Sequence, residues 1–343
     1  MRKARYRPTI RTHLAYPYIN ELVSMGMDPT GLVKRHFKDT TIVSRPYDCV
    51  QLGAFLEFTH DVAVMLNDPH LGLRLGARRR PEEIGALGLL FSASPTLKDA
   101  LDGYAKWIKS SQQGTQLKVS YSSIGVSIIY ALYDFDPTLT RHDTEFTLAS
   151  FCSIIRGRIG NSWKPIEIHF EHSQTLQTWL HESTFRAPIF FGQPSNRIIF
   201  NESDMIHTIS KTNPVMISML EDIIQRQIKE VTTNDSFSQE VLIVIARLAN
   251  SKGFVALPSI AKEMGLSLRT VQRHLSEEGT TFRQLMRLYR ERQAKELLTG
   301  ALPQSVASVA MSVGYSDTTS FSRAFKSWTD VSPRTFQRNL KAP

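Results

Sequence analysis

Three long polar side chains that could recognise DNA bases follow one another at helical spacing: Arg269, Gln272 and Arg273. Residues three and four apart share one face of a helix, so a helix here would point all three the same way. Arginine donates two hydrogen bonds to guanine, and glutamine pairs with adenine in the same two-point manner. We predict that these side chains read base edges in a major groove, although Arg273 could instead contact a phosphate or pair with Glu277.

The residues around these side chains predict a helix-turn-helix. Ala261 is small enough to let two short helices cross closely, and Gly265 permits the left-handed backbone of the turn between them. Ser267 is a favourable N-cap for the second helix, and Val271 anchors that helix from its inner face. The second helix would then be the recognition helix that enters the groove.

The same pattern returns further along the chain, where Gly314 lies 49 residues after Gly265. Ala310 repeats the small residue four positions before the glycine, and Ser316 repeats the N-cap candidate. After one extra turn residue, phenylalanines at 321 and 325 take the inner positions of a second recognition helix. Any short helical hairpin can imitate one such match, whereas two matches in register predict a pair of helix-turn-helix units.

The outward face of the second recognition helix carries shorter side chains: Thr318, Thr319, Ser322 and Arg323. Hydroxyl groups suit phosphates and thymine methyl groups better than two-point base recognition. We therefore expect the first unit to supply most of the specificity, and the second unit mainly register and affinity. The candidates for phosphate contacts are Ser267, Ser316 and Lys326.

A long amphipathic helix is predicted between the two units, over Thr281–Leu298, with Gly300 and Pro303 ending it. Such a helix can hold the two units at a fixed separation. Residues 252–343 contain 14 Lys and Arg against 7 Asp and Glu, which is +7 of the chain's formal net charge of +9. A basic domain joined to a nearly neutral one is typical of a nucleic-acid-binding module attached to a second function.

The N-terminal part of the chain predicts an α+β domain, because helical stripes come first and strand-like alternation follows over residues 116–200. The helical stripes lie in Pro17–Met25, Leu52–Leu66 and Leu97–Ile108. Asn201–Thr232 then returns to an amphipathic helix. Its apolar stripe could be core or a dimer seam, and we favour the seam. Residues 232–236 are the predicted linker.

Catalytic chemistry finds little support in this sequence. His169 and His172 lie near His181, but on a strand the first two rings would point to opposite faces, which disfavours a metal site. The sequence contains no glycine-rich phosphate loop, nucleophile elbow or CxxC motif. We therefore predict no enzymatic activity, no cofactor and no metal.

Aromatic residues of the N-terminal part could line a ligand cavity, although ordinary core is the favoured interpretation. They are Trp107, Tyr121, Tyr130, Tyr133, Phe151 and Trp163. No apolar run approaches the ~18 residues of a membrane helix. Two cysteines cannot form a disulfide framework, so we expect a cytoplasmic protein without a membrane partner.

The C-terminal motifs resemble the AraC/XylS family of bacterial transcription regulators over residues 245–340. The segments that carry the resemblance are Ser267-x-Arg269-x-Val271-x-Arg273-x-Leu275, Glu277-Glu278-Gly279, Gly314-Tyr315-Ser316-Asp317, Phe321-Ser322-Arg323-Ala324-Phe325-Lys326 and Val331-Ser332-Pro333. A weaker resemblance links the N-terminal part to the arabinose-binding-like effector domain of one branch, a name that does not imply an arabinose ligand. Its segments are 68–76, 85–101 and 185–192.

The resemblance implies an α+β effector domain at 1–204, a helical linker and possible dimerisation segment at 205–236, and an all-α DNA-binding domain at 237–343. That last domain would hold two helix-turn-helix units joined by a long helix. The implied partners are double-stranded promoter DNA, RNA polymerase, a small-molecule effector and a second copy of the chain. The implied mode of action is activation. The alternatives are an enzyme with a regulatory C-terminal part and a ligand-independent architectural DNA-binding protein.

Overall fold

The computed structural model of this chain describes residues 8–132, 135–174, 178–208, 213–232, 237–252, 255–299, 304–329 and 331–339. The chain divides into two compact units, which we call the N-terminal unit (residues 7–233) and the C-terminal unit (residues 234–343). Residues 233–236 of the predicted linker lie outside the described residues, as do Gly300 and Pro303, the predicted helix stop.

The N-terminal unit begins mainly with helices, and most of its strands come after residue 107. Its helices are α1 Tyr16–Ser24, α2 Thr30–Phe37, α3 Leu52–Met65, α4 Leu71–Ala77, α5 Ala86–Ala93, α6 Leu97–Trp107, α7 Pro137–Ile159, α8 Trp179–Phe185 and α9 Pro214–Thr232. Its strands are β1 Thr9–Arg11, β2 Cys49–Gln51, β3 Thr115–Ser122, β4 Gly125–Leu132, β5 Glu167–His169, β6 Ile189–Phe190 and β7 Asn196–Phe200. The predicted α+β class is confirmed.

A five-stranded sheet in the order β3-β4-β7-β5-β6 forms one layer of the N-terminal unit, and β1 and β2 pair separately. The ladders in the five-stranded sheet are antiparallel except for β5 with β6. One hydrophobic core joins the inner face of this sheet to α5, α6, α7 and α9. A second core lies among α1, α2, α3 and α4.

The helix α7 is a correction to the strand-like interpretation of residues 116–200. It runs through the middle of the unit and is buried on several sides, including polar residues such as Asp143 and Glu145. A helix buried nearly all round shows no clear apolar stripe, so periodicity does not reveal it. The local signal was its start, where the Asp136 side chain accepts a hydrogen bond from the Thr138 N–H at 2.8 Å and Pro137 occupies the first turn.

Two glycines of α4 allow this helix to touch the backbone of α7. A Cβ placed on Gly72 would lie 2.1 Å from the carbonyl oxygen of His142, and one on Gly76 would lie 2.3 Å from that of Phe146. Any side chain at either position would push the two backbones apart. The motif at 68–76 therefore has a packing role, and it fixes which residues of α7 face α4.

We expect Gly72→Ala and Gly76→Ala each to lower the free energy of unfolding by about 3 kcal/mol, because backbone atoms cannot yield as a flexible side chain would. Gly157→Ala in α7 is the matched control. Nothing lies within 4 Å of the methyl group that this change adds. We therefore expect the free energy of unfolding to rise by up to about 1 kcal/mol, because alanine favours a helix more than glycine does. Urea unfolding followed by tryptophan fluorescence measures all three. Equal stability of Gly72→Ala and Gly157→Ala would show that the helices can separate freely.

The C-terminal unit is entirely helical in its described residues. Its helices are α10 Phe237–Lys252, α11 Leu257–Glu263, α12 Leu268–Glu277, α13 Phe282–Thr299, α14 Val306–Ser312, α15 Thr318–Thr329 and α16 Pro333–Asn339. One core joins α10, α11 and α12 to the first half of α13, which contributes Leu285 and Met286. The other joins α14 and α15 to its second half through Ala294 and Leu298. The predicted long helix is confirmed, and it belongs to both cores.

Candidate nucleic-acid interface and buried cavity

The first helix-turn-helix consists of α11 and α12. Gly265 has a φ of +66°, the left-handed backbone that the turn requires. The Ser267 hydroxyl accepts a hydrogen bond from the Thr270 N–H at 3.1 Å, so Ser267 is the N-cap of α12. Val271 and Leu275 are fully buried. Each of these local predictions is confirmed.

The outward face of α12 presents the candidate base-reading residues together. Arg269, Gln272 and Arg273 are all exposed. The Arg273 Nε atom lies 3.7 Å from a carboxylate oxygen of Glu277, and both side chains are largely exposed. Such a pair contributes little free energy, so Arg273 can exchange it for an interaction with DNA.

The second helix-turn-helix consists of α14 and α15, with Gly314 at a φ of +81°. The prediction that Ser316 caps α15 is wrong. Asp317 takes that role, because its carboxylate accepts a hydrogen bond from the Ser320 N–H at 2.7 Å. The same bond lowers the pKa of Asp317. The extra turn residue therefore moves the helix start by one position, which leaves Ser316 exposed outside the helix.

The outward face of α15 carries the second group of candidates. Thr318, Thr319, Arg323 and Lys326 are exposed, and Ser322 is half-buried. Phenylalanines 321 and 325 are fully buried on the opposite face. The structure thus divides the candidate base-reading residues between two helices of one unit, as the repeat in the sequence implies.

Glu278 fixes the start of α10, a role that the sequence analysis missed. Its carboxylate accepts hydrogen bonds from the backbone N–H groups of Phe237 and Ser238, the second at 2.8 Å. A carboxylate at a helix N-terminus satisfies free N–H groups and favours the helix dipole. The Phe237 ring also packs on His274 of α12, with ring centroids 4.9 Å apart. These interactions hold α10 beside the recognition helix.

A buried cavity of about 40 Å³ lies inside the N-terminal unit, enough for about three water molecules. Tyr130 and Phe151 line it. For these two aromatic residues, the alternative that they line a cavity therefore applies. The other aromatic candidates lie elsewhere: Trp107 and Trp163 pack in the core, Tyr121 is exposed, and Tyr133 lies outside the described residues.

Polar groups at this cavity form a short chain of hydrogen bonds. Gln112 donates to the Tyr130 hydroxyl at 2.9 Å, and that hydroxyl donates to the Asp143 carboxylate at 2.6 Å. Burial raises the pKa of Asp143 to about 6. Sequence reasoning missed Asp143 and Gln112, since nothing local marks either residue as functional.

Arg79 also lines the cavity and is 4% exposed. One guanidinium nitrogen donates to the carbonyl oxygen of Glu83, and the guanidinium lies 5.5 Å from the centre of the Phe146 ring. Within the described residues, Arg79 Nε has no hydrogen-bond partner. Burial lowers the pKa of this arginine. An apolar cavity with a guanidinium donor at its wall suits a ligand that carries a negative group.

Among the described residues, no helix combines the length and apolar character needed to cross a membrane.

Comparison with known proteins gives two family matches. Residues 26–208, more than half of the chain, match the arabinose-binding domain of AraC transcription regulators (N-terminal), and residues 260–339 match a helix-turn-helix domain. The ornithine utilization regulator of Pseudomonas aeruginosa is 23% identical over 300 residues, or 83% of this chain and 84% of that protein. The HTH-type transcriptional regulator VirS of Mycobacterium tuberculosis is 21% identical over 337 residues, or 96% of each. The crystal structure of the transcriptional regulator CdpR from Pseudomonas aeruginosa aligns with a TM-score of 0.44 at 19% identity, covering 95% of this chain and 98% of that one.

Proposed function

This chain belongs to the AraC/XylS family of transcription regulators, and from that membership we propose that it activates transcription at promoters it binds sequence-specifically. It acts in the cytoplasm as a homodimer, contacts RNA polymerase at the promoter, and responds to a small-molecule effector. The observation that carries the DNA-binding part is the pair of helix-turn-helix units with exposed polar faces.

For this function we divide the chain into an effector domain at 1–204, a connecting helical segment at 205–236 and a DNA-binding domain at 237–343. The connecting segment supports dimerisation through α9. One side of this helix packs into the N-terminal unit, with Leu220 and Ile224 buried. Its other side exposes apolar side chains to solvent: Val215, Met216, Met219 and Ile223. An exposed apolar stripe of this kind suits an isologous interface with a second copy.

The base-reading residues in this proposal are Arg269, Gln272 and Arg273 of α12, with Thr318, Thr319, Ser322 and Arg323 of α15 in the second groove. Ser267, Ser316 and Lys326 contact phosphates. The basic charge of residues 252–343 supplies the sequence-independent attraction to DNA, which weakens as salt is added.

Replacing Arg269 or Gln272 by alanine should weaken binding to the cognate operator by about 1–3 kcal/mol and relax preference at one or two base pairs. Binding to random duplex should barely change, since a base contact carries little of the non-specific affinity. Titrations against an operator selected in vitro, its single-base variants and random DNA measure this.

Lys326→Ala is the contrasting variant. It should weaken binding to all sequences alike and lower the salt slope by about one, as expected when a lysine no longer neutralises a phosphate. If Arg269→Ala also weakens all sequences equally, Arg269 contacts a phosphate and does not read a base.

The buried cavity supports the effector part of the proposal. The free donor of Arg79 suits a carboxylate, and Asp143 with Tyr130 suits a hydrogen-bonding group such as an amine. The polar head of such a ligand would displace the few waters that the cavity can hold. One relative is named for ornithine utilization, so ornithine and related amino acids are the first compounds to test.

A further inference from the structure

A second cluster of buried polar groups lies in the N-terminal unit, apart from the cavity. It consists of His70 at the start of α4, Glu145 of α7, His181 of α8 and His172 in the segment after β5. Glu145 and His181 are fully buried, and His70 and His172 nearly so. Because the backbones of α4 and α7 touch at Gly72 and Gly76, His70 and Glu145 are held on the same side of the crossing.

Three groups of this cluster lie within reach of one common ion, and the fourth, His172, lies beside Glu145. One ligand atom from each of His70, Glu145 and His181 can be chosen so that all three lie within 4.8 Å of one another. His181 Nε2 is 2.9 Å and His172 Nε2 is 3.5 Å from the same oxygen of Glu145. His169, by contrast, lies against Glu167 at 2.9 Å. The predicted alternation along a strand does not apply to this pair, because β5 ends at His169. His172 lies beyond the strand and is close to the same Glu145 oxygen as His181.

Several atoms of the cluster are buried without a hydrogen-bond partner in the described part of the chain. They are Glu145 Oε2, His70 Nδ1, His172 Nε2 and His181 Nδ1. Buried polar atoms are nearly always paired, so four unpaired atoms in one cluster indicate a missing partner. A cation suits this position, because Glu145 supplies a carboxylate oxygen and the histidine rings supply lone pairs.

His172 shows most clearly why a cation fits. Its Nδ1 lies 3.0 Å from the carbonyl oxygen of Ser173, so Nδ1 carries the hydrogen and Nε2 presents a lone pair. That lone pair lies 3.5 Å from a carboxylate oxygen, which also presents lone pairs. The bond from Nδ1 to a backbone carbonyl is the usual way in which a metal-binding histidine is oriented.

We propose that the N-terminal unit binds one divalent transition-metal ion, with Zn²⁺ the best match, through His70, Glu145, His181 and His172. Imidazole nitrogens with one carboxylate are ligands that Zn²⁺ prefers, whereas Mg²⁺ and Ca²⁺ require oxygen ligands. The ion ties α4, α7, α8 and the segment after β5 together. This site is separate from the Arg79 cavity and does not depend on the proposed effector.

Metal analysis of the untagged full-length protein tests the site directly. After treatment with a chelator and dialysis against Zn²⁺ or Co²⁺, we expect one ion per chain and a melting temperature that rises with free metal. Bound Co²⁺ should show the visible absorption of a nitrogen and oxygen site of low coordination number. Less than 0.1 ion per chain at micromolar free metal would overturn the proposal, and would leave a shared proton as the partner of Glu145.

Two variants locate the ion. His181→Gln should weaken metal binding by at least tenfold and abolish the Co²⁺ spectrum. His169→Gln, which changes a histidine of the same segment that lies outside the cluster, should bind metal as the unchanged protein does. Equal metal affinity of His181→Gln and the unchanged protein would place the ion elsewhere. The stoichiometry and spectrum of the unchanged protein decide the question even if a variant fails to fold.

Discussion

A fragment spanning residues 237–343 should, even as a monomer, protect roughly two helical turns of its operator, about 20 bp. Both recognition helices belong to one unit and are joined through α13, which enters both hydrophobic cores. Helices that lie on one face of a duplex enter successive major grooves about 10–10.5 bp apart. Footprinting of the fragment on an in vitro selected operator measures the protected length.

A substitution in the second core can unfold the second recognition helix while leaving the residues of the first core unchanged. Phe325 is fully buried in the second core, which shares no buried residue with the first. Phe325→Asp places an unpaired charge in this core. The few apolar residues there cannot offset the free energy of burying that charge, so we expect the second core to unfold. We expect the footprint to shorten to one groove and the salt slope to fall by about 0.9 for each phosphate that the variant no longer neutralises.

Leu275→Asp is the matched variant for the first core, where Leu275 is 1% exposed. It should remove most of the base discrimination, because Arg269, Gln272 and Arg273 lie on α12. Arg323 is the one candidate with two-point base chemistry on α15. The near-UV signal around Trp328 reports whether the second core remains folded. Protection of one groove by the unchanged fragment would contradict the two-helix arrangement.

The C-terminal unit was predictable from sequence because its determinants are local. Turn glycines, the Ser267 cap and the inner apolar residues all lie within a few positions of the helix they shape, and the repeat supplies an internal check. The exception is the N-cap of α15. Ser316 and Asp317 are both good N-caps, and the register of the apolar residues in α15 decides between them.

The candidate functional groups of the N-terminal unit were not predictable, because they meet only through long-range packing. Arg79, Gln112 and Asp143 come from three distant segments, and no spacing links them. His70 and Glu145 become neighbours because Gly72 and Gly76 let two helix backbones touch. The sequence contained both glycines in a recognisable motif, but a glycine does not identify the backbone that approaches it.

If the cavity is the effector site, a carboxylate-bearing ligand should stabilise the full-length protein and shift its affinity for promoter DNA. A ligand at a hundredfold excess over its Kd adds about 2.7 kcal/mol to the stability of the unit that binds it. By linkage, the promoter must change ligand affinity by the same factor. A thermal-shift screen of amino acids and other small carboxylates, followed by DNA titrations with each hit, measures both effects.

Arg79→Gln should weaken ligand binding ten- to a hundredfold, which corresponds to the ~1.5–3 kcal/mol of a hydrogen bond to a charged group. Arg78→Gln is the matched control, because the Arg78 side chain is exposed and lies outside the cavity. Asp143→Asn should also weaken the binding of ligands that carry an amine, while keeping affinity for simple carboxylates. That difference would show that the carboxylate of the ligand binds at Arg79 and its amine at Asp143.

The possible outcomes answer two separate questions: where the ligand binds, and whether it controls binding to DNA. If Arg79→Gln binds the ligand as tightly as the unchanged protein, the ligand lies elsewhere in the unit, and the sensing role still stands. If hits stabilise the protein but leave promoter affinity and transcription unchanged, the N-terminal unit is not a sensor for them. The apolar stripe on α9 would then support dimerisation alone. A ligand can shift an equilibrium only through different affinities for the two states, so promoter affinity, and not ligand binding by itself, decides whether this unit controls the DNA-binding domain.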